Sequence, residues 1–241
     1  MKTRNKPRYS LHITISSLFV SLIIVFAILI SWQNYRKTSE IIISTGNQVF
    51  DQINRELLLD LQGTRDSVTQ AVDILALTPI NSAGSLQERI QSLPILSIAL
   101  HNEPQMSAIQ VGYDNGDYFI IRPVNSEFVR NKFSAPLQSA FIVDHIDTDN
   151  QGKRLLLRLF FNRDLVEISR DKPVATQYDP RERPWYKLAQ ENSQVKATKP
   201  YLFYFFRKVG STFTVETPVA GVVLAADILL DQLSQNLARL A

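Results

Sequence analysis

The stretch MSAIQVGYDNGDYFIIRPV, Met106 to Val124, holds two apolar runs with a period of two on either side of Asp114-Asn115-Gly116. Asn-Gly tolerates the positive φ angles that a tight turn demands, so the segment predicts a β-hairpin. Downstream, SAFIVDHI (139–146) and RLLLRLFF (154–161) form a second strand pair around DTDNQGK (147–153). PYLFYFF (200–206), STFTVETPV (211–219) and GVVLAADI (221–228) read as three further strands, and LDQLSQNLARL (230–240) as a closing amphipathic helix.

Upstream of the hairpin the period is helical. Ile42, Val49, Ile53, Leu57, Thr64, Val68, Val72 and Leu75 recur at spacings of three, four or seven, a narrow stripe along one helix over 36–78 that Pro79 ends. At about 1.5 Å per residue such a helix would reach roughly 65 Å. A helix that long has either a partner helix or a domain lying along it; a passive stalk needs no apolar stripe, so a partner helix, most simply from a second copy of the chain, is the expectation. A second helix is expected from Ser85, with Glu88 completing a capping box, to a break near Pro94. Helices first and an antiparallel sheet after them make an α+β domain.

The N-terminus carries a different signal. No charged residue occurs from Tyr9 to Tyr35 when His12 is neutral. A helix over 11–32 would span roughly 33 Å at about 1.5 Å per residue, against a hydrocarbon core of about 30 Å. Tyr9 at one end and Trp32 with Tyr35 at the other suit the two interfaces. Lys2, Arg4, Lys6 and Arg8 place residues 1–10 in the cytoplasm as a basic tail. The apolar run is longer than that of a cleaved signal peptide, and no small-x-small site follows it. The expectation is a single-pass inner-membrane anchor, with everything beyond it extracytoplasmic. The net charge of +3 comes from this tail, and the remaining 231 residues sum to −1. A nucleic-acid partner is therefore not expected.

Composition limits the chemistry. There is no cysteine, and the three histidines, at 12, 101 and 145, are too scattered to suggest a zinc site. Asp147-x-Asp149-x-Gln151-Gly152 faintly resembles a calcium loop, but Gln151 and Arg158 occupy positions that want Asp or Asn and Glu. It reads as a polar turn. Glycines form no phosphate cradle, and no nucleophile–base pair can be assembled. Neither a metal, a cofactor nor an enzyme is expected. Asp227 lies between apolar neighbours on both sides, where a carboxylate is costly unless partnered. It is either the cap of the closing helix or a ligand-binding carboxylate.

YDPRERPWYKLAQ, Tyr178 to Gln190, concentrates unusual residues. The expected conformation is a turn at Asp179-Pro180, an extended Arg183 ahead of a proline, and a short helix with Pro184 at its first position. That holds Arg183 at a fixed corner beside Trp185 and Tyr186.

RERPWYKLAQ, KPYLFYFF and GVVLAADILLDQLSQNL together resemble the Cache sensor domains (dCache type) of bacterial transmembrane receptors, PAS-like extracytoplasmic modules behind a membrane helix and a stalk. The YDPRERPWY version with its inserted hairpin looks most similar to Cache domains attached to adenylate cyclases and HD-GYP phosphodiesterases. The resemblance implies a transmembrane helix at 11–32, a long stalk helix at 33–79 and a PAS-like sensor module at 80–241 with flanking short helices. It also implies that Arg183, Trp185 and Tyr186 hold a ligand carboxylate, while Tyr201 and Asp227 face the ligand's ammonium. Phe203 stands where the relatives place a further acid. Strand alternation would set Tyr201, Phe203 and Phe205 on one face. One acid remains where an ammonium wants two, which favours an anionic or uncharged-tail ligand over a free α-amino acid.

The function expected is a membrane-anchored, periplasmic small-molecule sensor module of a signal-transduction receptor, dimeric through its stalk. The alternatives are a degenerate module that only dimerises, or the N-terminal fragment of a receptor with cyclic-nucleotide output. Relatives carry a second module, a second membrane helix and an output domain. This sequence reaches Ala241 with none of them, so it is expected to be a fragment or to signal through a partner.

Overall fold

A computed structural model describes residues 15, 18–33, 62–63, 65–148, 151, 153–191 and 194–230. The chain divides into two compact units, Met1–Leu59 and Asp60–Ala241. In the first, residues 18–33 are helical, with Phe19, Ile23, Phe26 and Ile30 exposed. Among the described residues no helix is long and apolar enough to cross a membrane. The basic tail, the start of the expected membrane helix, the stalk over 34–61 and the closing helix beyond Leu230 lie outside the described residues.

The second unit is α+β. Its sheet is antiparallel throughout, in the order β5-β4-β3-β2-β1-β10-β9-β7, with β6 paired to β4 and β8 to β9. The strands are β1 (Met106–Gly112), β2 (Tyr118–Pro123), β3 (Phe141–Thr148), β4 (Arg154–Phe161), β5 (Glu167–Arg170), β6 (Val174–Ala175), β7 (Lys196–Ala197), β8 (Tyr201–Leu202), β9 (Val209–Glu216) and β10 (Val223–Leu229). The β1–β2 turn closes as its sequence requires: Gly116 has φ +88°, and Tyr113 N–H donates to Asp117 O at 3.0 Å.

One face of the sheet is covered by helices. These are α1 over 65–75, α2 (Leu86–Gln91) and α3 (Leu93–Asn102). Ile109, Val111, Phe119, Ile121, Val143, Leu224, Ala226 and Ile228 meet Val68, Val72 and Leu75 of α1 in one core cluster. This part of the stalk stripe therefore packs on the domain's own sheet, not on a partner helix. Full burial of three aliphatic side chains is worth about 1.5–3 kcal/mol each. Ser85 caps α2 by accepting from Glu88 N–H at 3.3 Å, while the Glu88 carboxylate reaches back to Gly84 N–H at 2.7 Å. Pro94 does not break this region. It lies in the first turn of α3, where its missing N–H costs nothing, and the interruption falls at Ser92.

The opposite face, built by the alternate residues of the same strands, is covered by α4 (Glu127–Lys132), by the corner and by an aromatic loop. The corner has the expected conformation. Asp179 caps a 3₁₀ turn at Pro180–Glu182 by accepting from Arg181 N–H, Arg183 is extended (φ −82°, ψ 148°), and α5 runs Pro184–Ala189. PYLFYFF does not form one long strand. Only Tyr201–Leu202 pairs with β9, and the chain then turns back: Phe203 N–H donates to Lys208 O and Arg207 N–H to Phe203 O, each at 2.9 Å. Arg207 takes a left-handed φ of 56° to close this loop. Phe203 and Phe206 are buried, so anchoring aromatic side chains, not strand pairing, explains the apolar run.

The corner can lie this close to the sheet because β1 ends in glycine. A Cβ on Gly112 would stand 2.8 Å from Trp185 Cη2, 2.9 Å from Pro180 Cβ and 3.0 Å from Tyr186 Cδ2. Gly112→Ala is expected to destabilise the chain by about 1–3 kcal/mol through overpacking. A thermal melt reads this as a fall in Tm, and an unchanged Tm would mean that the corner is not seated on β1.

Candidate functional site

The site begins with the polar residues of the corner-facing side of the sheet. Gln110 of β1, Arg122 of β2, Asp144 of β3, Thr212 of β9 and Asp227 of β10 are all buried there. Gln110 Nε2 donates to Asp227 Oδ1 at 2.7 Å, and its Oε1 accepts from Tyr118 O–H at 2.6 Å. Thr212 Oγ1 donates to the same Asp227 oxygen at 2.6 Å and lies 2.8 Å from Tyr201 Oη. The β1–β10 ladder shifts register at Ser107, whose hydroxyl donates to Asp227 O at 3.0 Å.

Asp227 is therefore not a helix cap. It lies within β10, opposite Ala108 and Thr212, with its carboxylate turned to the corner side. Burial pushes its carboxyl up to about 7, only partly opposed by Thr212, Arg122, Gln110 and Arg183. Burial likewise raises the Tyr178 phenol to about 12 and pushes the Tyr118 and Tyr201 phenols above their usual range. All three are neutral donors at any physiological pH.

A cavity of about 20 Å³ lies at the centre. Arg183, Trp185, Tyr201 and Asp227 line it, together with Gln110, Tyr118 and Arg122. Four of the five residues expected at the site thus converge. Tyr186 does not: it is buried beneath the corner and donates to Gly221 O at 2.5 Å, tying α5 to the β9–β10 turn. Arg183 is half-buried, with its guanidinium carbon 5.9 Å from each of the Tyr178, Tyr201 and Tyr204 ring centres. Among the described residues its guanidinium has no ion pair, and its one hydrogen bond is Nη2 to Leu202 O at 3.5 Å.

Phe203 does line the cavity, together with Tyr204, Phe205 and Phe206 of the same loop. Phe205 stacks on Tyr118 at 6.1 Å and 11°, and lies 5.0 Å from Tyr178. The remaining space holds about one water molecule. Sequence reasoning missed Arg122 and Asp144, which pair at 2.8 Å with both side chains fully buried. The signal was present as one opposite charge in each of two apolar strands. Asp147 of the weak calcium-loop match is paired with His145, at 2.6 Å.

No family model matches the chain. Over 232 residues it is 23% identical to adenylate cyclase 1 of Rhizobium meliloti (strain 1021), a match that covers 95% of this chain and 35% of that protein. The chain thus spans about a third of the length of the cyclase it resembles. Solved structures that it resembles include sensory and ligand-binding domains of bacterial chemoreceptors. That of Campylobacter jejuni Tlp3 (CcmL) matches with a TM-score of 0.47 at 19% identity, covering 77% of this chain and 60% of that one. The ligand-binding domain of Pseudomonas aeruginosa PctC in complex with GABA matches with a TM-score of 0.40 at 16% identity, covering 78% and 63%.

The Asp227 proton gives a test of the site's electrostatics. The folded state holds it up to about pH 7, the unfolded chain only to about 3.8. Unfolding free energy should therefore fall as pH rises through that window and level off above it. Asp227→Asn should flatten this slope, measured by urea unfolding at a series of pH values. Identical slopes in the two proteins would remove the buried neutral carboxyl from the account.

Proposed function

We propose that this chain is a membrane-anchored, extracytoplasmic sensor module that binds a small carboxylate-bearing metabolite and passes a conformational change into its N-terminal helix. One observation carries the reading: one cavity gathers Arg183, a half-buried guanidinium without an ion pair among the described residues, with Trp185, Tyr201 and a buried carboxyl, Asp227. The guanidinium offers a planar pair of donors that matches a carboxylate, and the aromatic walls exclude water. Asp227, Gln110 and Thr212 supply donors and acceptors to the rest of the ligand. The match to a cyclase supports a cyclic-nucleotide output in a longer protein, with sensing as the part assigned to these residues. Dimerisation through Ile42, Val49, Ile53 and Leu57 belongs to the same proposal.

The test is a thermal-shift screen of carboxylates, amines and amino acids on the full chain in detergent, since a ligand of the native state raises Tm. At least one carboxylate should raise it and change the fluorescence of Trp185. Arg183→Lys should weaken that binding by about 1.5–3 kcal/mol, and Tyr201→Phe by about 0.5–1.5 kcal/mol, at unchanged unliganded stability. A second reading is favoured by the self-filled cavity: a degenerate module that only associates. It requires that no ligand raise Tm and that Arg183→Lys lower the stability of the free chain.

The anchor has its own test. A reporter active only in the cytoplasm, fused after Ala241, should be silent in cells. Strong activity would place the module in the cytoplasm and end the extracytoplasmic reading.

A further inference from the structure

Arg122 is the one guanidinium buried at the cavity floor, with no part of its side chain exposed. Its Nη1 donates to Asp144 Oδ2 at 2.8 Å, but among the described residues Nε and Nη2 have no hydrogen-bond partner. Those two atoms form one edge of the guanidinium, a planar two-donor fork. Arg158 shows what this edge does when occupied. Its Nε and Nη2 grip the two oxygens of Asp144 at 2.6 and 3.0 Å.

Asp144 cannot satisfy both arginines equally. It accepts the whole fork of Arg158 and a single donor of Arg122, so a buried and a partly exposed cation share one buried carboxylate. What surrounds Arg122 otherwise is aromatic: its guanidinium carbon lies 4.8 Å from the Phe205 ring centre, 4.9 Å from Phe133 and 5.7 Å from Phe206. Rings attract a cation but do not accept its N–H bonds in the plane of the fork. A buried charged donor left without an acceptor is among the most expensive arrangements in a protein interior. Such an edge at the wall of a cavity calls for an acceptor from outside the chain.

We propose that Arg122 is a ligand-binding residue whose Nε–Nη2 edge takes a carboxylate, and that the ligand is a small dicarboxylate spanning Arg122 and Arg183. This rests on the reading of the cavity as a binding site. The cavity has two guanidiniums on its wall, and Asp227 is its single carboxyl. Two negative charges on the ligand answer that imbalance, and an ammonium group does not. Entry requires Phe205 and its neighbours in the 203–208 loop to leave, since the free volume is about 20 Å³.

The experiment measures the affinity of the full chain in detergent for succinate and glutarate, for butyrate and pentanoate, and for the half-amides succinamate and glutaramate. A dicarboxylate should bind at least tenfold more tightly than its half-amide and than the monocarboxylate of the same length. Arg122→Lys keeps a charge beside Asp144 but lacks the fork, and should erase that preference while monocarboxylate affinity stays within about twofold. Should this variant fail to fold, the half-amide comparison, which alters only the ligand, decides alone. Equal affinity for dicarboxylates, half-amides and monocarboxylates would overturn the role of Arg122 and leave Arg183 as the anchor. A preference that survives in folded Arg122→Lys would overturn it too. Failure of every carboxylate to bind would overturn the binding-site reading itself, and this inference with it.

Discussion

Strands β1 and β10 are buried along their whole lengths, on both faces of the sheet. Every polar side chain they carry must find its partner inside the protein. On the helix side the problem does not arise, because Ile109, Val111, Leu224, Ala226 and Ile228 are apolar. On the corner side Gln110 and Asp227 are not, and their placement organises the rest. Gln110 uses its oxygen on Tyr118 and its nitrogen on Asp227, joining β2 to β10 across β1. Thr212 joins Tyr201 to the same carboxyl from β9. The aromatic corner and loop close this line off from water, and that exclusion raises the Asp227 carboxyl.

The walls of the cavity differ in how firmly they are held. Arg183 lies between two prolines four residues apart, and below it Trp185 and Tyr186 press against Gly112. Arg181 ties the same corner to Asp179 and to Asp114 O. That wall has little freedom to move. The opposite wall is a single turn over 203–208 that depends on a left-handed Arg207, a conformation costing about 1–2 kcal/mol in a residue with a Cβ. Tyr204 on it is exposed, and Val209 just beyond is too. A rigid corner facing a strained aromatic turn is an asymmetry that fits the proposed sensor, with one side to read a ligand and the other to report it.

Much of this was legible beforehand, for local reasons. The Asn-Gly turn, the two prolines of the corner and the capping serine at 85 act through backbone geometry, which neighbours in sequence decide. PYLFYFF misled because alternating aromatics satisfy a strand pattern and a ring-filled turn equally well. The difference lies in Arg207 and in the pairing of Phe203 with Lys208, which no local propensity encodes. Asp227 stayed open between cap and site for a related reason: only the register that sets it opposite Thr212 turns the carboxyl towards the corner. Arg122 precedes Pro123, a context that reads as a strand end. Its burial depends on Asp144 reaching it from the neighbouring strand.

Buried ion pairs are poor evidence for stability, because desolvation consumes most of the attraction. Two arginines on one aspartate are poorer still, and hydrophobic residues of equal volume would pack this face without an unpartnered edge. The energies of the exchange explain what the arrangement can do. A desolvated cation–ring contact is worth up to about 2 kcal/mol, and a hydrogen bond to a charged group about 1.5–3 kcal/mol. On the proposed binding mode, exchanging the Phe205 and Phe206 contacts of Arg122 for a carboxylate on its fork would trade terms of similar size. A ligand moves an equilibrium only by its differential affinity for the two states. On that reading, with resting and ligand contacts nearly balanced, a few kcal/mol of extra bonding at Arg183 would tip the loop, and the aromatic plug that fills the cavity would be the part that the ligand moves.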